Sequence, residues 1–377
     1  MNDLRLERVL RMIGQRIRFA REAKGWNQAL LAEKLGFKDR QILSNLEAGK
    51  RRLAADELMR LTDLFELPMD FFTDSFRLVG EGEFSWRARG ASPAAKESFA
   101  ERARQVVVTY WRLSELRGEP HMIHSLALKL TQRSSWEEAR LAGEQLALAW
   151  NLGEFPAQRL SEVVEQQHGL LVLHMDPPEG ISGAACRLPE LNTVFINRRE
   201  PDGRRSFNLA HELFHILTWQ EMPPREWDDE TAEMTPRERR VEQLADNFAG
   251  ALLMPATTLR KLWENRGSKD IHTWLNNTAS ELGVTALALK TRLEQAELLT
   301  AENELLKIDP ARLTWNGRTP GERSLPKLYS RRFVELLHWA LDKGELSVRR
   351  AAGLLSCTIE DLEDLFRAHG MEPPFDL

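Results

Sequence analysis

The chain is poor in the features that would place it outside the cell or in a membrane. It has two cysteines, Cys186 and Cys357, in 377 residues. Two thiols cannot form a disulfide framework, so packed cores must supply the stability. No run of eighteen apolar residues occurs, which excludes a membrane-spanning helix of ordinary length. The opening stretch MNDLRLERVLRMIGQRIRF is charged throughout and lacks the apolar centre of a secretory signal. A cytoplasmic protein with no membrane partner is expected. With 42% hydrophobic residues over this length, two or three domains are expected, each large enough to bury a core.

Charge is distributed unevenly. The net value is −5, yet residues 1–53 carry 13 Lys/Arg against 6 Asp/Glu, and the remainder carries 39 against 51. A basic block at one end suits a polyanionic partner for that end; a solvated helical surface would have the same balance. Residues 8–73 read as short helices separated by Gly25, Gly36 and Gly49, with Asn27 able to cap the second. The stretch NQALLAEKLGFKDRQILSNLEAGKRR (27–52) spaces two helices as a helix-turn-helix does. Leu31, Leu35, Ile42 and Leu46 are expected on its buried side, with Ala32 small where the helices cross. Asp39, Arg40, Gln41, Ser44 and Asn45 fall on the outer side, where side chains can reach base edges or phosphates. Gln28 stands at a helix start, and Lys50, Arg51 and Arg52 follow as phosphate contacts.

Residues 11–73 resemble the lambda-repressor-like (XRE) helix-turn-helix family at Gln28, Leu31, Ala32, Leu35, Gly36, Ile42, Ser44, Glu47 and Gly49, with one extra residue between Gly36 and Glu47. The resemblance implies double-stranded operator DNA as partner, with Gln28, Arg40, Gln41, Ser44 and Asn45 contacting it. A homodimer is expected, because such domains read paired half-sites.

Beyond this unit, expected to span 1–75, residues 76–94 read as a linker. It holds Gly80, Gly82, Gly90 and Pro93 and one apolar anchor, Phe84–Trp86. Helices are expected at 95–117 and 135–150, then strands at 169–176 and 192–197, then helices at 205–220 and 236–253. Helices dominate again over 270–306, and a helical module is expected over 306–377. Within it LSVRRAAGLLSCTIEDLEDLF (346–366) outlines two short helices, either a second DNA-binding unit or a packing module. The fold class is mainly α, of the α+β kind.

In FNLAHELFHILTW (207–219), His211 and His215 stand at i and i+4. On a helix they share a face and can grip one Zn²⁺, with Glu212 adjacent and able to reach a water on the metal. The pentapeptide alone is weak, since such pairs recur in unrelated proteins. The helix ERRVEQLADNFAGALLMP (238–255) strengthens it. Glu242, Ala245 and Ala249 share one face, and small alanines allow close approach with Glu242 toward the metal. The bland reading makes Glu242 a surface acid beside Arg239 and Arg240; Asp246 is a rival ligand or a partner of a ligand histidine.

FNLAHELFH with E-x-x-A-D-x-F-A-x-x-L-L-M-P downstream is similar to the ImmA/IrrE family of zinc metallo-endopeptidases. The likeness includes ISGAA (181–185) and the strand ending at Asn197. It implies a minimal zincin domain, expected over 95–305, with His211, His215 and Glu242 as zinc ligands and Glu212 as general base. Thr193–Asn197 is expected to hold an extended substrate at a sheet edge. His174 is either an intermediate stabiliser or a strand-end histidine. Cys186 has two readings: a small buried thiol, or an inhibitory fourth zinc ligand that displaces the catalytic water, as some ImmA-like proteases suggest.

Together these features imply a DNA-binding regulator whose zinc endopeptidase cleaves a repressor, in cis or in trans, and relieves repression in a stress or phage-defence response. Single-stranded DNA is the activating signal the resemblance suggests, and a cut within 76–93 would detach the DNA-binding unit. The alternative is a non-enzymatic transcription factor whose zincin-like domain senses a ligand or scaffolds.

Overall fold

The computed structural model describes residues 2–77, 79, 83–88, 91–119, 127–188, 191–224, 227–229, 234–302, 307–313 and 325–376. The expected breaks at Gly80, Gly82 and Gly90 lie outside the described residues.

Five helices build the N-terminal unit: α1 (Asn2–Ala23), α2 (Gln28–Lys34), α3 (Arg40–Glu47), α4 (Ala55–Phe65) and α5 (Met69–Thr73). Asn27 caps α2 by accepting from the Leu30 N–H, and Asp39 caps α3 by accepting from the Gln41 N–H. The core gathers Ile17, Leu31, Ala32, Leu35, Leu43, Leu61, Phe65 and Phe72. Ile42 was expected inside, but it is half-buried and Leu43 takes the core position. With Asp39 as the cap, the helical phase starts at Arg40 and turns the Leu43/Leu46 pair inward. The fully buried Arg16 guanidinium donates to the carbonyls of Phe71, Asp74 and Arg77, pinning the exit of the unit.

A five-stranded sheet follows: β1 (Glu83–Ala88), β2 (Leu171–Met175), β3 (Ile181–Leu188), β4 (Leu191–Asn197) and β5 (Trp227–Asp229), in the order β2-β4-β3-β1-β5. β2 is parallel to β4, β4 and β3 are antiparallel, β1 is antiparallel to β3, and β5 is parallel to β1. The segment expected to be a linker therefore contains an interior strand. Its alternation of Phe84 and Trp86 with Ser85 and Arg87 is the period-two pattern of a strand between two environments. β4, expected at a sheet edge, lies between β2 and β3, so its backbone is paired on both sides.

Two helical layers cover the sheet. On one face lie α7 (Trp136–Ala149), α8 (Pro156–Gln166), α9 (Asp202–Thr218), α10 (Pro236–Leu253), α11 (Ala256–Glu264), α12 (Ile271–Leu282) and α13 (Ala286–Gln295), in one core with Val172, Ala185, Val194 and Ile196. On the other lie α6 (Pro93–Arg117), α14 (Arg331–Asp342), α15 (Val348–Leu355) and α16 (Ile359–Ala368), packed on Phe84, Trp86, Leu173, Ala184, Cys186 and Phe195. The C-terminal helices are thus a cover for the sheet. Leu362, Leu365 and Phe366 bury the apolar face of α16, each worth about 1.5–3 kcal/mol. The same helix carries Glu360, Asp361, Glu363 and Asp364, charges of the wrong sign for reading DNA. The packing role fits; the second DNA-binding unit does not.

The small residues of α10 do bring a helix close, and the closest approach is to α7. A Cβ on Gly143 would lie 2.5 Å from the Phe248 carbonyl oxygen, so only glycine fits at that crossing. α10 is thereby wedged between α7 and α9, which fixes the rotation of the face that carries Glu242.

Candidate functional site

α9 is buried from Asn208 to Thr218, enclosed by the sheet on one side and α10 on the other. Its helical phase places the rings of His211 and His215 one turn apart, at 1% and 3% exposure, with Glu212 between them at 2%. α10 brings Glu242 against both. Glu242 Oε2 is 3.0 Å from His211 Nε2, and Oε1 is 3.3 Å from His215 Nε2. The two Nε2 atoms are 3.1 Å apart. One ligand atom from each of the three residues falls within 4.8 Å of the others, and they are the one such metal-capable group among the described residues.

The electrostatics follow from this packing. Burial and the nearby Arg87 charge oppose protonation of His211. Hydrogen bonds to Asp246 and Glu242 outweigh both and raise its pKa to about 9. Burial also works against the Glu242 charge, but the two histidines hold its carboxyl well below the usual range. Glu212 moves the other way: burial raises it, against the pull of His211, His215 and Arg87. A carboxylate poised upward beside a metal-capable group suits a proton acceptor.

Asp246 stands outside the three-residue group and against His211. Its Oδ1 lies 3.0 Å from His211 Nδ1, on the far side of the ring from Glu242. It therefore accepts from Nδ1–H and leaves Nε2 directed at Glu242 and His215, the side on which a metal would be held. Among the described residues His215 has no such support; its Nδ1 is buried without a hydrogen-bond partner there. Arg240, a neighbour that would make Glu242 a surface acid, instead donates to the Ser134 carbonyl and lies over the Trp136 ring.

Cys186 does not join this group. In β3 it points to the opposite face of the sheet, among Phe84, Trp86 and Phe195, and is fully buried. Burial raises its thiol well above the ordinary range, the reverse of what a thiolate ligand needs. Alternation decides the matter: Ala185 packs on the α9 side, so Cys186 must face away. His174 is also elsewhere. It lies on β2, beyond β4, and burial, with Arg205 and Arg198 nearby, lowers its pKa to about 4.

Two residues near the group were missed in the sequence because they lie in the expected linker. Ser85 lines a cleft of about 340 Å³ that reaches Glu242. Arg87 lines a cavity of about 400 Å³ that reaches Asp246.

Residues 165–294 match the family described as the IrrE N-terminal-like domain, Peptidase_M78, and residues 17–72 match the helix-turn-helix family HTH_3. The chain carries both family signatures in tandem. No curated protein matches it. The peptidase-like match takes in β2, β3, β4, α9 and α10, and so contains His211, Glu212, His215, Glu242 and Asp246; β1, α6 and the C-terminal helices lie outside it. No described helix is long and apolar enough to cross a membrane.

On the helix-turn-helix unit, Arg40, Gln41 and Lys50 are exposed, and Ser44 and Asn45 are half-buried on the same outer side of α3. Gln41 Nε2 donates to Asn45 Oδ1 at 3.2 Å. Gln28 and Arg51 are already engaged. Gln28 Nε2 donates to Glu47 Oε2 at 2.8 Å, and Arg51 makes a two-pronged pair with Glu57 at 2.8 Å. Glu47 is itself buried and held by Arg21 at 2.6 Å. The Gln28 side chain thus stitches α2 to α3 through its amide N–H.

Proposed function

We propose that the chain is a DNA-binding regulator whose zinc-dependent endopeptidase domain cleaves a repressor protein, itself or a partner, and so relieves repression. The observation that carries this reading is the convergence of His211, His215 and Glu242 with a buried Glu212 beside them. Two imidazoles and one carboxylate suit zinc with a position left open. Bound there, zinc supplies Lewis-acid chemistry toward water and a carbonyl. Asp246 holds His211 in the ligating tautomer. Glu212 Oε accepts a proton from the attacking water and returns it to the leaving amine. Its buried surroundings favour the protonated form it must reach in mid-reaction. Double-stranded DNA binding by the N-terminal unit, and dimerisation on paired half-sites, complete the reading.

The test is intact-mass measurement of the zinc-supplemented full chain, alone and mixed with a helix-turn-helix repressor. Fragments that disappear in the Glu212→Gln chain are expected. Unchanged masses throughout, with zinc bound, both for this chain and for a folded Trp86→Ala variant with the β1 anchor removed, would rule the reading out.

A further inference from the structure

A segment from outside the peptidase-like region lies along the site. Within residues 165–294 the run β2-β4-β3 leaves one edge of β3 without a neighbour; β1 pairs there, antiparallel, and the short β5 of the same region pairs with the other side of β1. Adding an extended peptide to a sheet edge is a general mode of peptide recognition, with backbone hydrogen bonds for affinity and alternate side chains for specificity.

The register puts β1 over the catalytic group. Ser85 stands opposite Ala185, Trp86 opposite Ala184 and Arg87 opposite Gly183. A Cβ on Gly183 would lie 3.8 Å from Glu212 Oε1, so Gly183 adjoins the base directly. The register shifts just after Arg87, an irregularity of the kind that clusters beside active sites. Ser85 shares a cleft with Glu242, and Arg87 shares a cavity with Asp246. β1 therefore runs from one end of the His/His/Glu group to the other, with its polar side chains toward it. Its apolar side chains are anchored on the far face. Trp86 is fully buried, and its ring centroid lies 5.6 Å from those of Phe84, Phe99 and Phe195.

We propose that β1 is this chain's own occupant of the peptide-binding edge of β3, holding the peptidase site closed. The natural ligand of that edge is then an extended peptide resembling Phe84–Arg87: aromatic side chains two apart on one face, small and basic ones on the other. This rests on the peptidase reading for its consequence but not for its geometry. The occupant is also the segment that follows the DNA-binding unit. α6, which packs on Trp86 through Phe99, is tied to the end of that unit by Gln105 donating to the Phe76 carbonyl at 2.7 Å and Arg112 to the Ser75 carbonyl at 2.8 Å. A change in the DNA-binding unit has a direct route to β1.

The experiment uses the zinc-loaded full chain carrying Glu212→Gln and a fluorescein-labelled peptide with the sequence of residues 83–88. Adding Trp86→Ala should tighten peptide binding at least tenfold; unchanged binding by a folded variant overturns the proposal. If Trp86→Ala does not fold, Ser85→Cys with Ala185→Cys decides. Oxidation should weaken peptide binding at least tenfold against the reduced form, and equal binding overturns the proposal. With Glu212 intact, Trp86→Ala should hydrolyse casein at least ten times faster than the parent. Equal, measurable hydrolysis sinks the strand assignment and spares the peptidase reading. No hydrolysis by either, with peptide binding changed as expected, sinks the peptidase reading and leaves the strand assignment standing.

Discussion

Removing the Asp246 carboxylate tests whether the metal group is held from behind. His211 is almost fully buried, with Nε2 facing Glu242 and Nδ1 held 3.0 Å from Asp246 Oδ1. Asp246→Ala leaves the Nδ1–H buried without an acceptor, a desolvation cost of about 1–3 kcal/mol. It also frees the ring to choose the other tautomer, which puts the proton on the ligating nitrogen. Losing an outer partner of a ligating histidine typically weakens metal affinity about 10–100-fold. That corresponds to about 1.4–2.7 kcal/mol and agrees with the hydrogen-bond figure. The assay is zinc competition against a chromophoric chelator, with far-UV circular dichroism to confirm the fold. Asp246→Asn should lie between parent and alanine variant, because its amide oxygen can still accept from Nδ1–H. Parent-like zinc affinity in the folded alanine variant would refute the argument.

Cys186→Ala should leave zinc affinity and basal proteolysis unchanged, since the thiol lies across the sheet from the metal group; a gain in proteolysis would contradict that placement. Glu165 gives a pH-dependent prediction. Burial raises its pKa to about 7, so its folded value exceeds the unfolded one. Its contribution is fully present below about 4.5 and is lost as pH rises through 7. Glu165→Gln keeps an acceptor for the Val172 N–H and should stabilise the chain above pH 7, by up to roughly 3 kcal/mol in urea unfolding, with no gain at pH 4. On the DNA-binding unit, Lys50→Ala should weaken binding evenly across sequences and lower the salt slope by about one. Gln41→Ala should cost about 1–3 kcal/mol on the preferred sequence alone, both read by anisotropy across a salt series.

What the sequence revealed was local. The two histidines one turn apart, the acid on the next helix and the cap at Asn27 depend on helical period and short-range hydrogen bonds. Accordingly α9 and α10 begin and end close to their expected limits. What it hid was pairing at a distance. β3, ISGAACRL, is rich in glycine and alanine and shows little strand propensity; its identity comes from β1 and β4 on either side. β1 sits among glycines that read as a linker, and only its short alternation of aromatic and polar residues marks it. The facing of Cys186 could not be known before the register was, because one residue along a strand exchanges the two faces. Ile42 and Leu43 exchanged roles for a similar reason, a single residue of helical phase.

The most direct test of the central claim is X-ray absorption at the zinc edge of the loaded full chain. The account predicts two imidazole nitrogens at about 2.0–2.1 Å and a carboxylate oxygen at about 2.0–2.2 Å, with one imidazole lost in His215→Ala. A sulfur scatterer at about 2.3 Å, or zinc that stays bound unchanged in His215→Ala and Glu242→Ala, would contradict it.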